Sequence, residues 1–234
     1  MIWEAPNTER VSTGPGGLFY GVYPALVVEV VDPDKQGRVR VRLPWSPDTG
    51  SSNYEAWARL ATMMGGNNRG TWFIPDKNDE VLVAFEGGNP RRPYVVGALW
   101  NGLDTPPETI DEAGENNRKT ILSRQGVRIT LDDTVGAVKL RLETPNGQAV
   151  ILSDADNSIL VETSNGNSIK MDAEGITIIA AGQIKAQGST VEITAGSVTV
   201  NSAFSQFNGV VQCDTLITDT VVSSVYTPGA GNIW

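Results

Sequence analysis

Between Gly166 and Asn201, apolar and polar positions alternate in short bursts that return every seven or eight residues. Each burst is an apolar pair with one polar residue between: Ile169 and Met171, Ile176 and Ile178, Ile184 and Ala186, Val191 and Ile193, Val198 and Val200. Gly175, Gly182, Gly188 and Gly196 fall in the gaps. Alternation with period 2 marks a strand with one buried face. A strand of about four residues followed by a glycine-bearing corner is too short for a useful hairpin, so the expectation is a chain wound about an axis, a β-helix or β-prism. Two windings fit the spacing. Three strands of seven residues make one turn of about 21 residues in a single chain, or three chains intertwine with one strand each per face. About ten strands in one chain give roughly 15 to 20 Å of shaft at about 4.8 Å per layer, whereas three intertwined chains give roughly 50 Å. Modest inward residues suit a narrow threefold shaft, and intertwining pairs every lateral edge. These points favour the trimer, with a shaft core of Ile169, Met171, Ile176, Ile178, Ile184, Val191, Ile193, Val198 and Val200.

Upstream the rhythm differs. Alternating segments at 25–31, 37–43, 57–62, 70–74, 80–85 and 94–100 predict five or six short strands, with strict alternation in Arg38, Val39, Arg40, Val41, Arg42 and Leu43. Asp32 to Gly37 reads as a turn in which Pro33 presets φ and Gly37 takes a positive φ. Short strands with turns every ten or so positions predict a closed Greek-key barrel of the OB type. The predicted organisation is all-β: an N-terminal arm at 1–19 that orders on a partner, the barrel at 20–101, a linker at 102–118 with Pro106, Pro107 and several acidic groups, a β-helical shaft at 119–208 and a terminal segment at 209–234.

Composition narrows the function. The 234 residues carry a net charge of -9, so a phosphate backbone is repelled and nucleic acid is excluded as a partner. No apolar signal-type stretch opens the chain and no apolar run is long enough to span a bilayer, so assembly in the cytoplasm is expected. Cys213 is the one cysteine and histidine is absent, which leaves a thiol nucleophile without its usual base and makes Cys213 a small buried apolar residue. Paired carboxylates at Asp132 and Asp133, at Glu108, Asp111 and Glu112, and at Asp154 and Asp156 have the residue types of glycoside hydrolysis. They lie in turns or in the linker, where acidic residues are ordinary solvated turn formers, so no catalytic residue is assigned. Trp57, Trp72 and Trp100 offer aromatic surface of the kind that stacks on single-stranded nucleic acid, but the acidic charge turns them toward packing. Arg91 and Arg92, with Arg59 and Arg69, form a basic rim suited to a protein interface. Gly65, Gly66 and Gly70 with Asn67 and Asn68 form a permissive loop without the Lys and Ser or Thr of a phosphate cradle.

The sequence from Tyr20 to Trp45, YGVYPALVVEVVDPDKQGRVRVRLPW, then Trp57, Ala58 and Arg59, then GTWFIPDKNDEVLVAFEGGNPRRPYVVGALWNG from Gly70 to Gly102, resembles the OB domain of the central spikes of contractile injection machines. That family takes in baseplate assembly protein V of contractile-tailed phages, VgrG proteins of type VI secretion and the spikes of extracellular injection particles. The order DP-x-x-x-GRV, W-x-R, P-x-x-x-DEVLV-x-F and GNP-x-x-P-x-x-x-G-x-LWN is far more specific than one short motif. Lys119, Ser123, Gly126, Ile129, Asp132 and Asp133 extend the resemblance into the entry of the family's β-helix.

The resemblance implies a homotrimer on a baseplate hub protein. Such a spike closes the tail tube and is driven through the target membrane when the sheath contracts, with no cofactor and no enzymatic step. It implies a place in a virion or contractile injection particle. Two departures matter. The linker leaves no room for the lysozyme domain of some phage spikes, and without histidine the iron-holding tip of many short spikes is excluded. Tyr226, Pro228, Ile233 and Trp234 instead form a tip that folds as a cap over the shaft end or seats a separate PAAR-type tip protein. The alternative from another class is a β-helical protein that binds or cleaves polysaccharide.

Overall fold

A computed structural model describes residues 17–47, 53–110 and 112–225. Two units can be described, one running to residue 183 and one from residue 184. The first opens with β1 (Val22–Glu29), β2 (Val39–Pro47) and β3 (Asn53–Leu60). A two-rung hairpin follows, β4 (Gly65–Gly66) with β5 (Arg69–Gly70), and then come β6 (Glu80–Phe85) and β7 (Pro93–Ala98). Strands β1, β2, β3, β7 and β6 close into a barrel in that order, antiparallel except for the parallel β3–β7 contact. Alternation decides the interior: Val39, Val41 and Leu43 point in while Arg38, Arg40 and Arg42 point out, and Ala25, Val27, Ala58, Val81 and Val83 complete a core at 0–1% exposure. One end is sealed by Phe19, Tyr23, Trp45 and Phe85, whose rings lie 4.7–5.8 Å apart. Phe19 therefore belongs to the barrel, and its backbone N–H donates to the Gly88 carbonyl at 2.7 Å. A side chain at Gly88 would press on Leu18, and its φ of +79° is one that glycine takes without strain.

The turn from Asp32 forms as its residues dictate. Gly37 has φ +71°, and the Asp32 carboxylate accepts the backbone N–H groups of Asp34, Gln36 and Arg38 and the Arg38 guanidinium. The Arg38 contact, followed by these amides, holds the Asp32 carboxyl well below the usual carboxylate range. One expectation fails here: residues 70–74 do not form a barrel strand. Trp72 and Phe73 are adjacent, both exposed, and break the alternation, while Pro75 lacks a ladder donor. The segment instead lies across Gly37, where an added Cβ would sit 3.1 Å from the Trp72 ring.

Residues 99–117 cross to a second sheet without a helix or strand among the described residues. Glu108 accepts from Thr120 and Arg128, and Asn101 donates to Glu80 of the barrel at 2.8 Å, so the crossing is tied at both ends. The second sheet is a meander of β8 (Arg118–Leu122), β9 (Arg128–Asp132), β10 (Lys139–Glu143), β11 (Ala149–Ser153), β12 (Ser158–Glu162), β13 (Ser168–Asp172) and β14 (Gly175–Ile179). Each strand pairs antiparallel with its neighbour in sequence. The first two bursts of the seven-residue repeat are thus a hairpin within one chain, against the expectation that they were too short for one. Asp172 pairs with Gly175, so a two-residue connection of Ala173 and Glu174 suffices. In the second unit, residues 184–225 contain no strand among the described residues.

Candidate functional site

The meander has two unlike faces, and the register defines them. One face carries two uninterrupted ladders. The first runs Ile121, Ile129, Leu142, Val150, Val161, Ile169 and Ile178, each opposite the next. The second begins at Lys119 and continues Leu131, Leu140, Leu152, Ile159, Met171 and Ile176. Such cross-strand aliphatic pairs stabilise the sheet directly. None of the described residues covers them fully: Ile121, Leu131, Leu152, Ile159, Ile169 and Ile178 are 40–56% exposed. A contiguous apolar face of this size marks an interaction surface.

The other face is a charge lattice interrupted by Leu122, Ala149, Ile151, Leu160 and Ile179. Arg118 lies 3.6 Å from Asp132, Arg141 2.7 Å from Glu143 and Lys170 2.8 Å from Asp172, while Arg128 joins Glu108 to Glu143. The Thr134 hydroxyl and then its backbone N–H lower the Asp132 pKa. Lys170 and Asp172 shift each other, the amine up and the carboxyl down, because each hydrogen-bonds the other's charged form. Pairs this exposed contribute little stability singly; their consequence is a face that prefers water. The sheet therefore has one solvated side and one that needs a cover.

The predicted core residues separate by region. Ile169, Met171, Ile176 and Ile178 share the bare ladders. Ile184, Val191, Ile193, Val198 and Val200 lie in the second unit, 61–72% exposed and with no adjacent strand. Tyr226, Pro228, Ile233 and Trp234 lie outside the described residues. Cys213 is exposed rather than buried, because its segment has no single-chain core to enter. The reading along the chain missed the ladder residues from Ile121 to Val161. Their signal is the same apolar, polar, apolar pair, spaced about ten residues apart in meander fashion.

Four of the carboxylates considered for catalysis have partners in the fold. Asp132 and Asp133 pair with Arg118 and Lys119, Glu108 with Arg128, and Asp156 accepts from Ser153, while Asp111 lies outside the described residues. Trp57 and Trp72 line different grooves.

A closed five-stranded barrel followed by a sheet with a bare aliphatic face is the architecture of a protein that works in an assembly. Comparison with known families gives the same result twice. Residues 23–100 match the type VI secretion system and phage-baseplate injector OB domain, and residues 139–209 match the phage baseplate V C-terminal trimerisation domain. The chain belongs to the central-spike family of phage baseplates and type VI secretion, and its assembly is the homotrimer. Among its relatives is the type VI secretion system spike protein VgrG1a of Pseudomonas aeruginosa, 30% identical over 157 residues, which are 62% of this chain and 24% of that protein. VgrG1b of the same organism is 30% identical over 149 residues, 59% of this chain and 20% of its own length. The actin cross-linking toxin VgrG1 of Vibrio cholerae is 24% identical over 177 residues, 73% of this chain and 16% of the toxin. The chain thus spans a quarter or less of these relatives' own length.

Proposed function

We propose that this chain is a central spike whose work is mechanical: three copies close the end of a tube and are driven through a target envelope. The observation that carries this reading is the pair of bare aliphatic ladders. Three copies of the sheet, turned ladder-side inward around a threefold axis, would cover each other and leave the charge lattices in water. Burying a Leu, Ile or Val side chain contributes about 1.5–3 kcal/mol, so ladders of this length drive association strongly.

Residues 184–200 continue the apolar bursts and form no strand among the described residues, which suits strands completed by the other two copies. Ile184, Val191, Ile193, Val198 and Val200 then point to the axis and extend the shaft core begun by Ile169, Met171, Ile176 and Ile178. Stiffness follows from interlocked strands, since no chain leaves without breaking its pairing with two others.

On this reading the barrel seats a hub protein at the tube end and the far end of the shaft, at 209–234, is the tip, closed on itself or by a PAAR-type protein. No step requires a cofactor or a catalytic group. The spike assembles into a baseplate-type particle. Light scattering tests the core of the proposal: three 25.0 kDa chains give a particle of about 75 kDa, and a monomer of unchanged stability would reject it.

A further inference from the structure

We infer that the outer wall of the barrel across β2, β3 and β7 is a docking groove for an acidic protein segment. The inference goes beyond the spike reading and does not depend on trimer formation. The groove has a volume of about 270 Å³, room for a pair of side chains. It is lined by Trp57 on β3 and Tyr94 on β7, by the guanidinium groups of Arg38, Arg59, Arg91 and Arg92, and by one carboxylate, Glu86.

In a chain of net charge -9, such a grouping needs a reason, and the ion pairs show which cations are spoken for. Arg38 is held from behind by Asp32 and Asp34, and Arg92 by Glu86, which also accepts the Tyr94 hydroxyl at 2.7 Å. Among the described residues Arg59 and Arg91 have no carboxylate within ion-pair reach. Arg59 lies against the Tyr94 ring, 5.6 Å from its centroid. After the Tyr94 hydroxyl and the Arg92 charge, its own charge helps hold the Glu86 carboxyl down from across the groove, but among the described residues it makes no ion pair of its own. Two such guanidinium forks on one groove match two carboxylates of an extended acidic segment, each received in bidentate fashion.

The same geometry disfavours a nucleic acid. Arg38 and Arg40 already lie over the Trp57 ring at 5.6 and 5.9 Å from its centroid, so the platform on which a base would stack is occupied. Arg40 and Arg42 are further engaged by Glu55. What remains open is charge at the rim, which the carboxylates of an acidic segment can meet without a stacking platform.

Fluorescence anisotropy of the full chain with fluorescein-labelled octaglutamate and, separately, labelled oligothymidylate of matched charge tests the inference at low salt. Octaglutamate should bind, and the double variant Arg59→Gln/Arg91→Gln should weaken binding by about tenfold or more. The charge-matched control Arg118→Gln/Arg124→Gln, outside the groove, should leave it unchanged. Both groove arginines sit on the surface, so the variant keeps its fold. Absence of octaglutamate binding, equal weakening by the control pair, or tighter binding of oligothymidylate would each overturn the inference.

Discussion

The barrel and the meander are written in the same alternating code and end in opposite states. In the barrel, Val39, Val41, Val81 and Val83 are fully buried by their own chain. In the meander, Leu131, Leu142, Ile159 and Ile169 alternate just as regularly and stay 39–47% exposed. The difference lies in closure. Five strands that return through a parallel β3–β7 contact shut a cylinder with an inside, whereas seven strands paired only with sequence neighbours make an open sheet with one face uncovered. Alternation states which face is buried; topology states whose atoms bury it. The repeat from residue 184 carries the contrast further, since the described residues there pair in no strand at all.

The sharpest way to break this comparison is a charge on the ladder. Ile178→Asp places three carboxylates together near the proposed axis, where desolvation and mutual repulsion oppose ionisation. Trimers should be lost, with the mass falling to that of one chain, while the barrel keeps its fold; a variant that stays trimeric with unchanged melting would put Ile178 elsewhere. Separating the regions should divide the behaviour in the same way. A fragment of residues 119–234 should form a heat-resistant trimer and residues 1–101 a monomer or weak associate, measured by sedimentation; the reverse pattern would move the assembly surface to the barrel.

A cavity in the barrel should act on its own region. Leu43, 1% exposed, loses its packing in Leu43→Ala, which should lower barrel stability by about 2–5 kcal/mol in denaturant titration and leave the trimer mass unchanged. Loss of the trimer in this variant would mean that the two regions are not independent.

The smallest effect is acid sensitivity at the Asp32 turn. Its carboxyl pKa is lowered in the fold, so the stability it contributes is present above the ordinary carboxylate pKa of about 3.9 and is lost as the pH falls through the lower folded value. Barrel stability should therefore decline below about pH 4, and Asp32→Asn should flatten part of that decline. An identical pH profile for the variant would remove Asp32 from the account.

Much of this was legible along the chain. The Arg38 to Leu43 alternation and the Asp32 to Gly37 turn placed the first barrel hairpin, because both depend on neighbours in sequence. Trp72 and Phe73 misled, since adjacent aromatics resemble a strand by propensity although they pack across Gly37 from outside. The ladder from Ile121 to Val161 was missed as an assembly surface because its pairs look like those of any half-buried strand. Only the register shows that all seven pairs stack on one face with no full cover from the described residues. Ile169 to Ile178 were read as shaft core on intertwined strands, whereas they form a hairpin of one chain, since a two-residue turn at Ala173 and Glu174 gives no glycine or proline signal of its own beyond Gly175.

The central claim is that the apolar face of the meander is covered by two further copies of the same chain. Hydrogen exchange on the purified full chain, read beside its mass by light scattering, tests it most directly. The account predicts a particle of about 75 kDa from 25.0 kDa chains in which amides from residues 184–200 are as protected as those of β9 to β12, because partner chains supply their hydrogen bonds. A particle of one chain's mass, or a trimer in which residues 184–200 exchange freely, would contradict it.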